Sequence, residues 1–459
     1  MSKALRFFVA LVLVVGCSSD PVNPAADGKV PGDGGVLPEF GSGDDGPVDA
    51  PETPSNLTYW EHAKPIIDAK CTGCHRTGGI GPFPLTSYAA VKAVTPIARG
   101  AIFDRYMPPW HAAKGCSDYQ HDASLTDLQR QTLLDWIDAG APEGDPKNEG
   151  APLDGPPTLK SVDVTLTMKA AYTQQLKPDE YRCFIIDWPY QTTKYITGFN
   201  VKPGNGGVVH HMIAYLATKK SDIDKITAKD GSDGHEGYKC FGTPGFGDVL
   251  STPWLGAWAP GTGAVNFPAG TGLEIPPGAK VVLQMHYNAD SSGGGSDQSS
   301  IEFSVADTAT KARLQPLTNP LWLSGNAMPI PKDQDNVKHE FTIDPTILTG
   351  GKAITFYNVM AHMHYLGKGF QLKINHKDGS ESCMLDIKRW DFNWQRFYQF
   401  AQPKKLASGD TLTIRCLWDN TAANQPVING QKAASQDVNW GEGTRDEMCL
   451  AVAYILDPF

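Results

Sequence analysis

Short apolar runs, separated by Gly, Pro and Asn, fill the chain from about residue 160 onward. Examples are YRCFIIDW, KVVLQMHYNA and TLTIRCLW, each long enough for one strand and rich in β-branched or aromatic residues. A turn-rich zone near residues 310–335 interrupts them. Closely spaced strands with turn residues between them are typical of antiparallel sandwiches. The pattern predicts two all-β sandwiches, over residues 160–312 and 313–459.

Residues 56–147 have a different, helical pattern. The stretch LTDLQRQTLLDWIDAGAPEG places Thr126 and Gln129 at the spacing of a capping box, ahead of apolar residues at helical spacing. Gly140 and Pro142 then give a stop signal, and a Pro/Gly-rich segment separates this region from the β-like part. We therefore predict a small all-α domain in front of the two sandwiches.

The first residues indicate export. Residues 1–17 have a short basic start and an apolar run too short to span a bilayer comfortably, which is typical of a signal segment. Its ending, Val15-Gly16-Cys17, resembles a bacterial lipobox with Cys17 as the lipidated residue; a plain secretory signal is the alternative. Residues 18–55 are rich in Gly, Pro and Asp and predict a flexible linker. We expect an exported, periplasmic or outer-membrane lipoprotein anchored through Cys17.

Composition narrows the class of protein. The 459 residues are 41% hydrophobic and include 47 Gly and 35 Pro, which indicates a loop-rich globular protein of two or three domains. The net charge is −10, and the Lys and Arg residues do not cluster. A nucleic-acid partner is therefore not expected, because neutralising phosphates requires clustered cations.

Nine cysteines in an exported protein imply that most are bonded to something. Setting aside Cys17 and the closely spaced pair Cys71 and Cys74 leaves an even number, which fits three disulfides. The six remaining residues are Cys116, Cys183, Cys240, Cys383, Cys416 and Cys449.

The sequence Cys71-Thr-Gly-Cys74-His75 has the spacing of a covalent haem c site. The two thiols are placed to form thioethers with the haem vinyl groups, and the adjacent histidine is the axial ligand of iron. A CxxC disulfide or a zinc knuckle is the alternative, but no second thiol pair lies nearby in the sequence.

Met107, in DRYMPPW, is the predicted sixth haem ligand, because two prolines hold an extended backbone that can present the sulfur. The competing candidates are His62, His111 and His121. The whole segment resembles a small class I cytochrome c domain.

Two histidine pairs and a methionine in β-like segments suggest a redox metal. In a strand, residues two apart face the same side, so His362 and His364 can converge on one metal, with Met448 closing the site. Imidazole and thioether together suit copper that cycles between two oxidation states. Zinc is the chemical alternative.

The other pair, His210 and His211, is adjacent and would diverge in a regular strand. Binding one metal together therefore requires a β-bulge or the use of opposite ring nitrogens. Their predicted third partner is His286, in VVLQMHYNA.

The motifs VVHHM, LQMHY, AHMHYLGKG and DEMC, in this order and spacing, resemble those of the copper type II, ascorbate-dependent monooxygenases. The resemblance covers about residues 165–459. It implies two jelly-roll-like sandwiches with one copper ion each. The electron-transfer copper would be held by His210, His211 and His286, and the catalytic, oxygen-binding copper by His362, His364 and Met448.

The resemblance also implies two disulfides, Cys183–Cys240 in the first sandwich and Cys416–Cys449 in the second. By subtraction Cys116 and Cys383 remain, one in the helical segment and one in the second sandwich. We expect them to form an interdomain disulfide.

The chain departs from the peptide-amidating members of the family where they contact substrate. Met360 replaces an arginine that holds the substrate carboxylate, and Leu450 and Val452 replace an asparagine and a tyrosine. Peptidylglycine is therefore not the expected substrate.

The resemblance implies an enzyme that hydroxylates an aliphatic C–H bond of a small-molecule or peptide-like substrate with O2. Two copper ions, one haem c as electron inlet, and an external reductant (ascorbate-like or a periplasmic redox partner) would serve the reaction. The principal alternative is a non-enzymatic copper-binding or electron-transfer lipoprotein with the same ligands. A scaffold module with vestigial ligands is a third possibility.

Overall fold

The computed structural model describes residues 56–456, apart from 78, 80, 156, 177–178, 249, 260–261, 289–294, 429–430, 442 and 444. The predicted export signal and linker, residues 1–55, lie outside the described residues. No helix in the described part of the chain is long and apolar enough to cross a bilayer.

The predicted helical segment is present. It contains a π-helical turn, Tyr59–Ala63, followed by α1 (Lys64–Lys70), α2 (Tyr88–Phe103), α3 (Asp127–Asp138) and a 3-10 turn, Pro146–Asn148.

The predicted capping box of α3 is confirmed. Thr126 Oγ1 accepts from the Gln129 backbone N–H at 3.1 Å, and Gln129 Oε1 accepts from the Thr126 N–H at 3.0 Å. Gly140 has a φ of +83°, the left-handed conformation that ends helices. The segment has its own hydrophobic core, in which the rings of Tyr59 and Trp136 lie 6.1 Å apart.

The first sandwich follows. Its described strands are β1 (Val164–Thr167), β2 (Tyr172–Thr173), β3 (Asp179–Asp187), β4 (Lys194–Lys202), β5 (Val209–Ala217), β6 (Tyr238–Lys239), β7 (Trp254–Trp258), β8 (Val265–Asn266), β9 (Thr271–Ile275), β10 (Lys280–Asn288), β11 (Ser296–Asp297), β12 (Ser300–Ala306) and β13 (Thr310–Leu317). One helix, α4 (Lys220–Thr227), follows β5.

The strands of the second sandwich are β14 (Val337–Ile343), β15 (Ile354–His362), β16 (Gly367–Asn375), β17 (Glu381–Ile387), β18 (Tyr398–Leu406), β19 (Thr411–Trp418), β20 (Val427–Ile428), β21 (Gln431–Lys432) and β22 (Leu450–Leu456). Short 3-10 turns lie at Trp322–Ser324, Pro345–Thr349 and Ala422–Asn424.

Within the described residues, a 14-stranded sheet runs through both sandwiches. It passes from the first to the second where β13 pairs with β22, which in turn pairs with β15. A four-stranded sheet, β14-β19-β16-β17, lies in the second sandwich. Nearly all pairs are antiparallel, as predicted; β13 and β9 are parallel.

The prediction of a turn-rich zone near residues 310–335 is wrong for the first part of that range, where strand β13 forms. The sequence TKARLQPL alternates between exposed and buried positions, with Ala312 and Leu314 inside. A strand with one buried face has no continuous apolar run, and for this reason the sequence pattern did not identify β13 as a strand. The predicted boundary at residues 312 and 313 falls within this strand.

All three expected disulfides are present: Cys116–Cys383, Cys183–Cys240 and Cys416–Cys449. The first joins the helical segment to the second sandwich. Around it, residues 112–120 continue the sandwich edge through bridges between Ala112 and Ile387 and between Tyr119 and Phe400. The helical domain is thus docked on β17 and β18.

Replacing both Cys116 and Cys383 with serine is expected to lower the free energy of unfolding of the docked helical domain by about 3 kcal/mol, because a long loop loses its cross-link. Calorimetry should then show this domain melting before the sandwiches. The Cys183→Ser, Cys240→Ser pair is the control and should destabilise the first sandwich instead. An unchanged melting profile for the first double variant would contradict the role given to this disulfide.

Candidate functional site

The first histidine cluster lies on the paired strands β5 and β10. His286 is opposite His211, whereas Tyr287 is opposite Val209, so His210 is an extra residue in the ladder. A β-bulge of this kind re-aims a side chain and lets neighbours share one side of a sheet. Of the two geometries that the sequence left open for this adjacent pair, the structure has the bulge.

All three rings present Nδ1 to one point. His210 Nδ1 lies 3.4 Å from His211 Nδ1 and 3.2 Å from His286 Nδ1, and the last two atoms are 3.2 Å apart. Three imidazoles that bind one metal at about 2.0 Å keep their nitrogens roughly 3.3–3.5 Å apart. The spacing therefore fits one shared metal ion.

Neighbouring groups prepare these rings for a metal. His286 Nε2–H donates to Asp179 Oδ1 at 2.7 Å, which leaves Nδ1 with its lone pair, and the Tyr181 ring stacks on His286 at 4.2 Å. Burial lowers the pKa of His210 to about 4 and that of His211 well below its ordinary value. Both are therefore neutral at pH 7, as metal binding requires.

The second cluster forms where β15 ends. His362 is the last residue of that strand, and the His362 and His364 ring centroids lie 5.1 Å apart; Met448 lines the same cleft. His362 Nδ1–H donates to Gln395 Oε1 at 2.6 Å, and His364 Nδ1–H donates to the Asp446 carbonyl at 3.0 Å. Both rings thereby keep Nε2 for a metal. Burial lowers the pKa of both, that of His364 to about 3.

Glu447 fixes the backbone around this cluster. Its buried carboxylate accepts from the N–H groups of His364, Leu366 and Met448 at 2.9, 2.7 and 3.3 Å, and from Trp418 Nε1 at 2.9 Å. Burial raises the pKa of Glu447 to about 7, against the lowering effect of these donors. The carboxylate ties the turn after β15 to the segment that carries the methionine.

One loop contacts both clusters. Residues 388–397 connect β17 to β18 and are called the 388–397 loop below. His210 Nε2–H donates to Asn393 Oδ1 at 3.4 Å, and the glutamine that orients the second cluster lies on the same loop. The Phe392 ring lies 5.9 Å from the His210 ring and 6.1 Å from the His364 ring. The loop therefore orients a ring in each cluster and places an aromatic side chain between them.

The cleft between the clusters has mostly apolar walls. Met360 and Leu450, two of the three positions singled out for substrate binding, line it, together with Trp258; Val452 is buried in β22. Arg396 brings a positive charge to the wall.

The haem-attachment motif lies at the end of α1. Cys71 and Cys74 are free thiols, so the disulfide alternative is not what the structure shows. His75 is buried, and its Nδ1–H donates to the Phe83 carbonyl at 3.1 Å, which leaves Nε2 for a ligand bond. Gly81 packs on this ring so closely that a Cβ there would lie 2.5 Å from His75 Nδ1. An imidazole fixed by a hydrogen bond, next in sequence to two free thiols, fits the attachment site of a c-type haem.

Met107 lines a cavity of about 490 Å³ between the helical domain and the second sandwich. The three motif residues are not among those that line this cavity, so the structure does not bring Met107 and His75 to a common wall. Of the competing ligands, His111 lines the same cavity, His62 bonds a backbone N–H, and His121 is exposed. The identity of the sixth ligand stays a prediction.

Two family models match the two sandwiches. The N-terminal domain of the copper type II ascorbate-dependent monooxygenases matches residues 164–292, and the C-terminal domain of that family matches residues 322–456. Together they match more than half of the chain. The chain belongs to this family. Its two sandwiches correspond to the N-terminal and C-terminal domains of that family.

Curated relatives match the same region. Tyramine beta-hydroxylase of Caenorhabditis briggsae is 23% identical over 325 residues, which cover 66% of this chain and 51% of the relative. DBH-like monooxygenase protein 1 of Gallus gallus is 23% identical over 291 residues, or 60% of this chain and 44% of the relative. The chain spans about half the length of the curated relatives it matches.

Among solved structures, PNGase F, a glycosylasparaginase from Flavobacterium meningosepticum, is 12% identical. The match covers 64% of this chain and 96% of that one, with a TM-score of 0.26. A score this low carries no argument about fold or function.

Sequence reasoning missed the residues that orient the histidines of the two clusters. Asp179, Gln395 and Glu447 are ordinary polar residues whose partners lie far away along the chain. Glu447 gave one signal, since it stands directly before Met448 and the apolar strand LAVAYIL, where a charge is costly unless it is bonded.

Glu447→Gln is expected to weaken copper binding at the second cluster about 10- to 100-fold. It should also cost about 2 kcal/mol of unfolding free energy, because a buried NH2 group would face N–H donors. Asp179→Asn is the matched change at the first cluster and should weaken that site alone. Chelator competition, read by paramagnetic resonance, measures each site, and urea denaturation of the metal-free chain measures stability. Unchanged affinity at the second cluster in Glu447→Gln would contradict the role given to Glu447.

Proposed function

We propose that this protein is a copper-dependent monooxygenase that hydroxylates an aliphatic C–H bond of a small-molecule or peptide-like substrate with O2. The observation that carries the proposal is that two different donor sets, one of three imidazoles and one of two imidazoles with a thioether, border one cleft. Hydroxylation of a C–H bond places one atom of O2 in the product and the other in water; besides the two electrons of the C–H bond it requires two electrons and two protons from outside. Two one-electron metals with an external reductant of the ascorbate class would supply these two electrons.

His210, His211 and His286 would hold one copper through Nδ1, while His362 and His364, through Nε2, and Met448 would hold the other. Bound copper supplies the one-electron chemistry with O2 on which C–H hydroxylation depends. The sulfur of Met448 would favour the cuprous state at the catalytic site, because soft ligands prefer that ion.

The chain's own residues position the reaction. Hydrogen bonds fix the tautomers of His286, His362 and His364, so the ligand atoms point at the metals before binding. Phe392 and the apolar cleft walls give the space between the two sites a mostly apolar lining, and a substrate would bind by burying an apolar part there. The relatives named tyramine beta-hydroxylase and DBH-like monooxygenase protein 1 support a small-molecule substrate.

The helical domain would hold one haem c on Cys71, Cys74 and His75, with Met107 as the sixth ligand, and would serve as electron inlet for the copper sites. The held imidazole and free thiols support this assignment, and the docked position of the domain supports the role as electron inlet. Export and a lipid anchor at Cys17 would place the enzyme outside the cytoplasm, where an external reductant could reach the haem.

Metal and haem analysis of the purified full chain should find two copper ions and one haem. His364→Ala should lose one copper, keep a type II paramagnetic signal from the other, and lose substrate-dependent O2 uptake, because one ligand of the second cluster is gone. His235→Ala changes an exposed histidine and should keep both metals and activity.

Two coppers retained in His364→Ala would show that the ligand assignment is wrong. Two coppers in the unchanged chain, with no O2 uptake across a panel of apolar amines, amides and aromatic side-chain analogues, would favour the electron-transfer lipoprotein.

Met107→His is expected to lower the reduction potential of the haem and to shift its optical spectrum, because a methionine ligand raises the potential relative to histidine. Redox titration with absorption spectroscopy measures both. His121→Gln, at an exposed competing position, should leave them unchanged. Identical spectra and potentials for Met107→His and the unchanged chain would refute this ligand.

A further inference from the structure

The docking contacts of the helical domain lie on β17 and β18, the strands that the 388–397 loop connects. Trp110 is central to this junction, with its ring 5.0 Å from the Tyr398 ring and 6.0 Å from the Tyr119 ring. It follows Met107 by three residues. Trp110 therefore connects the segment of the predicted haem ligand to the second sandwich.

Arg396 connects the same tryptophan to the cleft. Its guanidinium lies over the Trp110 ring, 5.3 Å from the centroid. Arg396 lines the cleft and follows Gln395, which holds His362. One side chain of the loop thus contacts the aromatic junction and also lines the metal cleft.

Buried residues connect the Trp110–Tyr398 contact to the second cluster. Tyr398 is 2% exposed and lies opposite Val359 in the neighbouring strand β15, and His362 is three residues further along that strand. Electron tunnelling requires a short path through packed matter, and protein interiors are packed as densely as organic crystals. Strand β15 provides such a path from the junction to a metal ligand without crossing solvent.

We propose that Trp110 and Arg396 form the contact through which electrons pass from the helical domain's haem to the copper held by His362, His364 and Met448. The inference rests on the proposed function, which supplies both groups. Each transfer oxidises one ferrous haem iron to ferric and reduces one cupric ion to cuprous, and no bond forms or breaks. A one-electron reductant of the ascorbate class restores the ferrous haem.

Anaerobic rapid mixing of the fully loaded chain with limiting ascorbate tests the route, with haem absorbance as the readout. In the unchanged chain, haem reduction should be followed by first-order reoxidation at a rate independent of protein concentration, as the electron passes to copper. Trp110→Leu should slow this second phase several-fold, and Trp110→Phe, which keeps an aromatic ring, should retain most of the rate. Haem and copper potentials, measured by redox titration, should be the same in all three proteins.

Trp60→Leu is the matched control, because Trp60 is a half-buried tryptophan of the same domain that packs on Tyr59 rather than on the sandwich. It should leave the reoxidation rate unchanged. If Trp110→Leu does not fold, Arg396→Gln replaces it and should slow the same phase.

Variants that bind haem and copper and reoxidise at the rate of the unchanged chain would overturn the proposed contact while leaving the proposed function intact. A second outcome distinguishes failure of the Trp110–Arg396 contact from failure of the haem as electron inlet. If the unchanged chain binds both groups but its ferrous haem never reoxidises, the haem is not the electron inlet, and the proposed function fails at that step.

Discussion

Strand β22 is the element on which both the fold and the candidate site depend. It pairs with β13 along one edge and with β15 along the other, and its side chains are buried from Leu450 to Ile455. In the second pairing Leu450 lies opposite His362, and Met448 is two residues before Leu450. Register therefore sets where the sulfur stands relative to the imidazole. A slip of one residue would turn one ligand to the opposite face of the sheet.

The two clusters differ in the charge of the groups that orient them. The first is supported by a carboxylate, Asp179, which makes the bonded imidazole a stronger donor to a metal. The second is supported by neutral acceptors, the Gln395 amide and the Asp446 carbonyl, and includes a thioether. Softer and less basic ligands stabilise the cuprous ion. The difference in surroundings thus agrees with the proposed roles, electron transfer at the first cluster and reaction with O2 at the second.

Sequence alone predicted β10 and β15, which carry histidines of the two clusters, and β22, which begins two residues after Met448, because each has a largely apolar run. It also predicted that two adjacent histidines need either a β-bulge or opposite ring nitrogens to share a metal, because neighbouring side chains of a regular strand diverge. Strand β13 was not predicted, because only one of its faces is buried. The 388–397 loop could not be interpreted, because its roles come from contacts across the chain: Asn393 and His210 are 183 residues apart.

The docked helical domain changes how electrons can be supplied. A redox partner on a flexible linker acts at an effective concentration in the millimolar range, but its distance from the acceptor varies. Here the Cys116–Cys383 disulfide and the strand-like pairing of residues 112–120 fix the domain against the loop that orients both clusters. A fixed domain cannot shuttle between an external donor and the cleft. In the proposed function the donor must therefore reach the haem on the surface that docking leaves free, while the cleft stays available to substrate and O2.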